Sequence, residues 1–340
     1  MSTAEAFLGL LWIGLTLYAL LGGADFGAGL WDLLAGGARR GRAQRELIEH
    51  SIGPVWEANH VWLIFVITLF WTGFPAAFAA FAATLYIPLT LAALGIIARG
   101  SAFAFRKVSD QLWQRRLFGA AFASSSVLTP FFLGTVVGAV ASQRVPPGIA
   151  EGDIVSSWWN PTSITSGLLA VGMTAYLAAV YLTADARRTG NERLVDVFRL
   201  RALLTGMVVG VLSLAALLVI RLDAPDLFTE LEGRAWPFVL ASILAGITSL
   251  VLLVARKFVL VRITAALGVT AVLWGWGAAQ YPTMLPGLTI DEAATDPAVL
   301  HAALWALGVG GLILVPSLLY LFAIFQSNRF DHDHRARSGR

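Results

Sequence analysis

Residues 6–45 read AFLGLLWIGLTLYALLGGADFGAGLWDLLAGGARRGRAQR, and the fold follows from how this stretch is built. An apolar run continues from Ala6 to Leu34, broken by Asp25 and Asp32, and then gives way to Arg39, Arg40, Arg42 and Arg45. A helix needs about 20 apolar residues to cross the hydrocarbon of a bilayer. The run is long enough, and short loops rich in Lys and Arg stay cytoplasmic. The chain therefore enters from outside and reaches the inner face at residue 39. The same alternation repeats to the C-terminus. Spans are expected at about 6–34, 52–72, 75–98, 117–140, 163–183, 202–220, 237–255, 262–281 and 300–325. Basic residues cluster in alternate loops: Arg99, Arg106, Lys107, Arg115 and Arg116; Arg187, Arg188, Arg193, Arg199 and Arg201; Arg256, Lys257 and Arg262; then Arg329, Arg335, Arg337 and Arg340. Only Arg144, Arg221 and Arg234 lie on the other side. The sequence predicts an all-α membrane protein of nine transmembrane helices. Its N-terminus is outside, and one membrane domain, 1–327, precedes a cytoplasmic tail, 328–340.

The composition agrees. The 340 residues are 57% hydrophobic and 13% charged, against about 25% charge in a soluble domain. The net charge of +3 belongs to loops facing anionic lipid, so membrane lipid is an expected partner and nucleic acid is not. The absence of cysteine excludes disulfides and thiolate metal sites. The first span lacks a basic flank on its N-terminal side and is expected to be retained rather than cleaved. Pro88, Pro130 and Pro316 fall inside spans and predict kinks. Gly22, Gly23, Gly27 and Gly29 give span one a small-residue face for close packing. The outer loops 141–162, 221–236 and 282–299 each have room for a short interfacial helix, with Trp158, Trp159 and Trp236 at belt positions.

Charges within a membrane are costly and need a reason. Asp25 lies about 15 Å from the inner end of span one at 1.5 Å per residue. It is either a structural ion pair or part of a proton or ion path. Asp32, near the interface, reads as a solvated helix end. Span two opens Ile52-Gly53-Pro54-Val55-Trp56-Glu57-Ala58-Asn59-His60-Val61-Trp62. Glu57 and His60 stand roughly 8 and 12 Å up from the inner end, on one helix face. A carboxyl desolvated there suits a proton carrier. Imidazole both accepts and donates, so His60 either extends the relay or is a packed histidine. Trp56 and Asn59 flank the pair. Arg99 and Arg106 lie at the same inner depth, as counter-ions or as snorkelling anchors. A haem shared by two histidines is not expected, because His60 and His301 differ in depth by about 15 Å. The remaining histidines, His50, His332 and His334, are at the inner surface.

Four stretches resemble subunit II of cytochrome bd-type quinol oxidases: Gly23-Ala24-Asp25-Phe26-Gly27-Ala28-Gly29; Ile52 to Ile64 around Gly53-Pro54-Val55-Trp56-Glu57; Arg99-Gly100-Ser101-Ala102-Phe103-Ala104-Phe105-Arg106; and Tyr281-Pro282-Thr283-Met284-Leu285-Pro286 followed by Leu288 to Ala294. The resemblance implies two four-helix bundles plus one peripheral helix, in a bacterial or archaeal cytoplasmic membrane. It implies a haem-bearing subunit I as partner, with b-type haem, haem d left open, and quinol as the substrate of the complex. Small single-span subunits are left open as further partners. This chain would bind no haem, hold no catalytic residue of its own, and supply a proton path through Asp25, Glu57 and His60, with Trp56, Asn59, Arg99 and Arg106 in support. Glu57 stands where the family commonly has aspartate, and His60 where it often has glutamate or glutamine. Two other readings use the same residues: a stand-alone ion-coupled transporter, and a purely structural scaffold for subunit I.

Overall fold

The computed structural model describes residues 2–37, 39–52, 56–109 and 111–338; for 52, 56–58, 106–108, 112, 115 and 321–338 it describes the backbone alone. Ser2 opens the first helix with a capping box: its hydroxyl accepts from Glu5 N while the Glu5 carboxylate accepts from Ser2 N. Helix α1, Thr3–Leu17, widens into a π-turn at Tyr18–Gly22 and continues as α2, Gly23–Leu33. A short amphipathic helix, α3, covers Arg42–Ile52, and α4 covers Trp56–Gly73.

Here the structure departs from the expected span at 75–98. Phe74 leaves the helical region ahead of Pro75, as residues before proline tend to do. The chain bends by 119° into α5, Pro75–Thr84. After a second break at Leu85 it runs on as α6, Tyr86–Val108. Two consequences follow. Pro88 falls in the first turn of α6, where a missing N–H costs little, rather than in mid-span. Arg99 comes to lie in the middle of a long helix instead of at its end.

Helix α7, Leu112–Ala141, passes through Pro130; α8 is Pro161–Arg188 and α9 Glu192–Asp223. The side chains of Asn160 and Asn191 cap α8 and α9 by accepting from Ser163 N and Leu194 N. The segment 221–236 carries the expected short helix, α10, Pro225–Glu232. Helices α11, Trp236–Val254, and α12, Phe258–Gln280, form a pair. The segment after α12 forms a small hairpin, β1 Thr283–Leu285 with β2 Leu288–Thr289, and one turn of helix, α13, Ile290–Ala293. Helix α14, Pro297–Ser338, continues through Pro316 and through most of 328–340. Among the described residues, eight helical segments are long and apolar enough to cross a membrane, and the bent pair α4–α5 makes a ninth if taken as one span.

Helix α2 is wedged against α7 and α8. Its glycines are the reason it fits. A Cβ on Gly27 would lie 1.9 Å from the Thr174 carbonyl oxygen, and one on Gly29 would lie 2.1 Å from Ser126 Oγ. One buried cluster gathers α2, α8, α9 and α12 around Leu177, Val195, Phe198 and Val261; a second gathers α1, α5, α7 and the hairpin around Phe7, Phe74, Leu85 and Val145. Two expectations are corrected by this packing. Trp158 is buried against Phe132 rather than set in an interfacial belt. Asp32 is buried rather than solvated, because α3 folds back to place Arg45 Nε 3.5 Å from its carboxylate.

Candidate functional site

The π-turn Tyr18–Gly22 begins seven residues before Asp25 and ends three before it, and the site grows from it. A π-turn inserts one residue into the helical ladder, and such turns often mark functional positions. Asn59 on α4 faces this irregularity. Its Nδ2 donates to the Asp25 carboxylate at 2.5 Å and lies 3.5 Å from the Leu21 carbonyl within the turn. One side-chain amide thus ties α4 both to the bulge and to the acid that follows it. Asp25 is 5% exposed.

Arg99 reaches the same turn from α6. It is 1% exposed and the largest fully buried side chain described. Its Nη2 donates to the Asp25 main-chain carbonyl at 2.8 Å, and its Nε donates to Ser126 Oγ on α7 at 3.2 Å. The guanidinium carbon lies 5.0 Å from the centres of both the Phe26 and Phe122 rings. A planar cation between two aromatic faces keeps part of the stabilisation it loses by leaving water. Ser126 in turn donates to Phe122 O at 2.6 Å, which fixes its lone pairs toward Arg99. Four helices, α2, α4, α6 and α7, therefore meet at one buried acid and one buried base.

The expected counter-ion role of Arg99 takes a particular form. Its described hydrogen bonds go to the backbone of Asp25 and to Ser126, so it neutralises the acid by proximity while leaving the carboxylate oxygens to Asn59. His60, one residue beyond Asn59, is half-buried between Tyr18 and Phe26, with ring centres 6.2 and 5.8 Å away. The structure thus brings together Asp25, Asn59, His60 and Arg99. The side chains of Trp56, Glu57 and Arg106 lie outside the described residues.

Three members were missed in the sequence: Tyr18, Phe122 and Ser126. The run Ser124-Ser125-Ser126 inside an apolar span was a usable signal. Tyr18 and Phe122 gave none, because aromatic residues are ordinary in spans. Among the described residues, no three of His, Asp and Glu are grouped to share a metal ion. His301 lies elsewhere, near the N-terminus of α1, with Nε2 3.4 Å from Thr3 Oγ1.

A cavity of about 840 Å³ runs beside α1 and α2 from Glu5 to Phe26, bounded on its other sides by α4, α5, α6, α7, α8 and α12. Its walls are almost wholly apolar and include Tyr18 and Phe26, the two rings that flank His60.

Comparisons with known proteins fit this architecture. The family model of cytochrome bd terminal oxidase subunit II matches residues 3–325. Cytochrome bd ubiquinol oxidase subunit 2 of Bacillus subtilis is 31% identical over 119 residues, 35% of this chain and 34% of that protein. Cytochrome bd-I ubiquinol oxidase subunit 2 of Escherichia coli K12 is 28% identical over 182 residues, 51% of this chain and 46% of its own length. These alignments thus take in about a third and about half of the two relatives. The structure of bd oxidase from Geobacillus thermodenitrificans superposes with a TM-score of 0.76 at 25% identity, covering 96% of this chain and 100% of that one. With the family model spanning nearly the whole chain and the helical fold matching along its length, this multi-pass membrane protein belongs to the cytochrome bd terminal oxidase subunit II family.

Proposed function

We propose that the chain is the accessory subunit of a quinol:oxygen oxidoreductase in a bacterial or archaeal cytoplasmic membrane, and that it carries protons from the cytoplasm toward the oxygen-reducing centre. The haem, b-type with or without haem d, belongs to a partner subunit I, and quinol is oxidised by the complex. In this reading the chain has nine spans, arranged as two four-helix bundles with one peripheral helix. The N-terminus is outside and α14 leads to the cytoplasm.

The observation that carries the proposal is the Asp25 site itself. A carboxyl held by one amide, next to a fixed guanidinium, is able to exchange a proton without unfolding its surroundings. The buried Arg99 limits the cost of the ionised state, and desolvation limits the cost of the neutral one. Protons enter at Glu57, pass to Asp25, and use His60 as the neighbouring donor and acceptor. Trp56 and Asn59 support the carboxyls, and Arg99 and Arg106 serve as their counter-ions. Net charge moves because protons are taken from inside while quinol releases its own outside.

Glu57→Gln tests this in the purified complex, since it keeps shape and hydrogen bonding but removes the titratable group. The complex should assemble with normal haem content and reduce oxygen at least tenfold more slowly; Glu57→Asp should retain part of the rate. Full turnover with undiminished proton uptake in Glu57→Gln leaves the scaffold reading in its place.

A further inference from the structure

Tyr18 belongs to the site, but its hydroxyl has been given no role. It begins the π-turn, is 6% exposed, and its hydroxyl is buried with no hydrogen-bond partner among the described residues. An unsatisfied buried hydroxyl costs about 1–3 kcal/mol, so such groups are normally bonded to protein or to an ordered water. Tyr18 lies within electrostatic reach of both Asp25 and Arg99. Its other side forms part of the wall of the apolar cavity. The ring takes this position because residue 22 is glycine: a Cβ there would meet the ring at 2.8 Å. Tyr18 thus sets a buried hydroxyl with no acceptor among the described residues in the cavity wall, on the helix that carries Asp25.

We propose that Tyr18 is a positioning residue of the proton path, whose hydroxyl and a water molecule held against it at the cavity boundary hydrogen-bond the Asp25 carboxyl. The inference rests on reading Asp25 as a proton carrier. The cavity has room for a water, and a water needs two or more polar partners to be held; Tyr18 Oη and the Asp25 carboxyl supply them. The walls beyond are mostly apolar, so the water is kept at the acid. When the carboxyl gives up its proton, the water accepts it and passes one of its own to the His60 imidazole, whose ring centre lies 6.2 Å from that of Tyr18; an O–H bond breaks at the acid, an N–H bond forms at the imidazole, and the water is restored. Tyr18 stays neutral and fixes the water's lone pair toward Asp25. Phenylalanine at this position would preserve the packing and lose the anchor.

The test uses the intact oxidase complex and two readouts. The carboxyl C=O band of Asp25 is first assigned in infrared difference spectra by its loss in Asp25→Asn. In Tyr18→Phe the band should move to higher frequency, as expected for a carboxyl that has lost a hydrogen bond, and turnover should fall about tenfold at unchanged haem content. Gly22→Ala, which displaces the ring and keeps the hydroxyl, should produce a smaller shift in the same direction, and it carries the test if Tyr18→Phe does not assemble. An unmoved band with full turnover in Tyr18→Phe, while Asp25→Asn is slow, overturns the role of Tyr18 alone. Full turnover in Asp25→Asn overturns the proton-carrier reading, and this inference with it.

Discussion

Two arginine–aspartate pairs, Arg144 with Asp223 and Arg99 with Asp25, are built in opposite ways. At the end of α9, Arg144 grips Asp223 with two N–H groups, each at 2.9 Å, one to each carboxylate oxygen. Thr162 adds its N–H at 3.1 Å and its hydroxyl at 2.6 Å. That carboxylate is saturated, and the cluster locks the end of α9 to the start of α8 and the loop after α7. At the Asp25 site the arginine spends its described donors on a main-chain carbonyl and a serine, and the carboxylate keeps one described hydrogen bond, from Asn59. The same residue types make a clamp in one place and an exchangeable acid in the other. What separates them is where the guanidinium's N–H groups point.

Arg99→Ala should have the largest effect. It leaves Asp25 without its cation and Ser126 without its donor in a dry site, a cost of about 3–5 kcal/mol. Loss of complex and of haem in membranes checks this; normal assembly would show that the Arg99–Asp25 pair does not hold the helices together. Next comes Gly27→Ala. Its methyl would overlap the Thr174 carbonyl, so α2 and α8 must separate at a cost of about 1–3 kcal/mol. A lowered thermal midpoint of the purified complex is the readout. Arg144→Ala should cost about 1–3 kcal/mol, because it strips a half-buried carboxylate of its partner. Turnover per haem should nevertheless stay unchanged. A slowed turnover in that variant would break the contrast between clamp and proton site.

The smallest expected effect is on pH. Asp153 accepts from the N–H groups of Val155 and Ser156, and Glu292 caps α13 by accepting from Thr289 N; both carboxyls are held below the usual carboxylate range by these bonds. A depressed folded-state pKa stabilises the fold above the unfolded value, and the benefit is lost as pH falls through the folded one. The loops that hold Asp153 and Glu292 should therefore loosen below about pH 4, seen as faster amide hydrogen exchange there. The opposite sign, tighter loops in acid, would show that these turns are not held by the ionised carboxyls.

The sequence showed the helices well, because hydropathy and loop charge act over about 20 residues and average out local detail. Asp25, Asn59, His60 and Arg99 were legible for a related reason: polar groups stand out against an apolar background. The break at Phe74–Pro75 was not, since Pro75 reads equally well as the first residue of a new span. Asp32 was misjudged because its partner, Arg45, comes close only after α3 turns back. Tyr18 was invisible because the π-turn that presents it leaves no compositional trace.

The central claim is that the Asp25 carboxyl transfers protons, and one measurement bears on it most directly. Asp25→Asn keeps the size of the side chain and removes the exchangeable acid. The purified complex, reconstituted in vesicles, should show normal haem content, with oxygen reduction and proton uptake from the cytoplasmic face both reduced at least tenfold. Normal turnover with normal proton uptake in that variant would contradict the account.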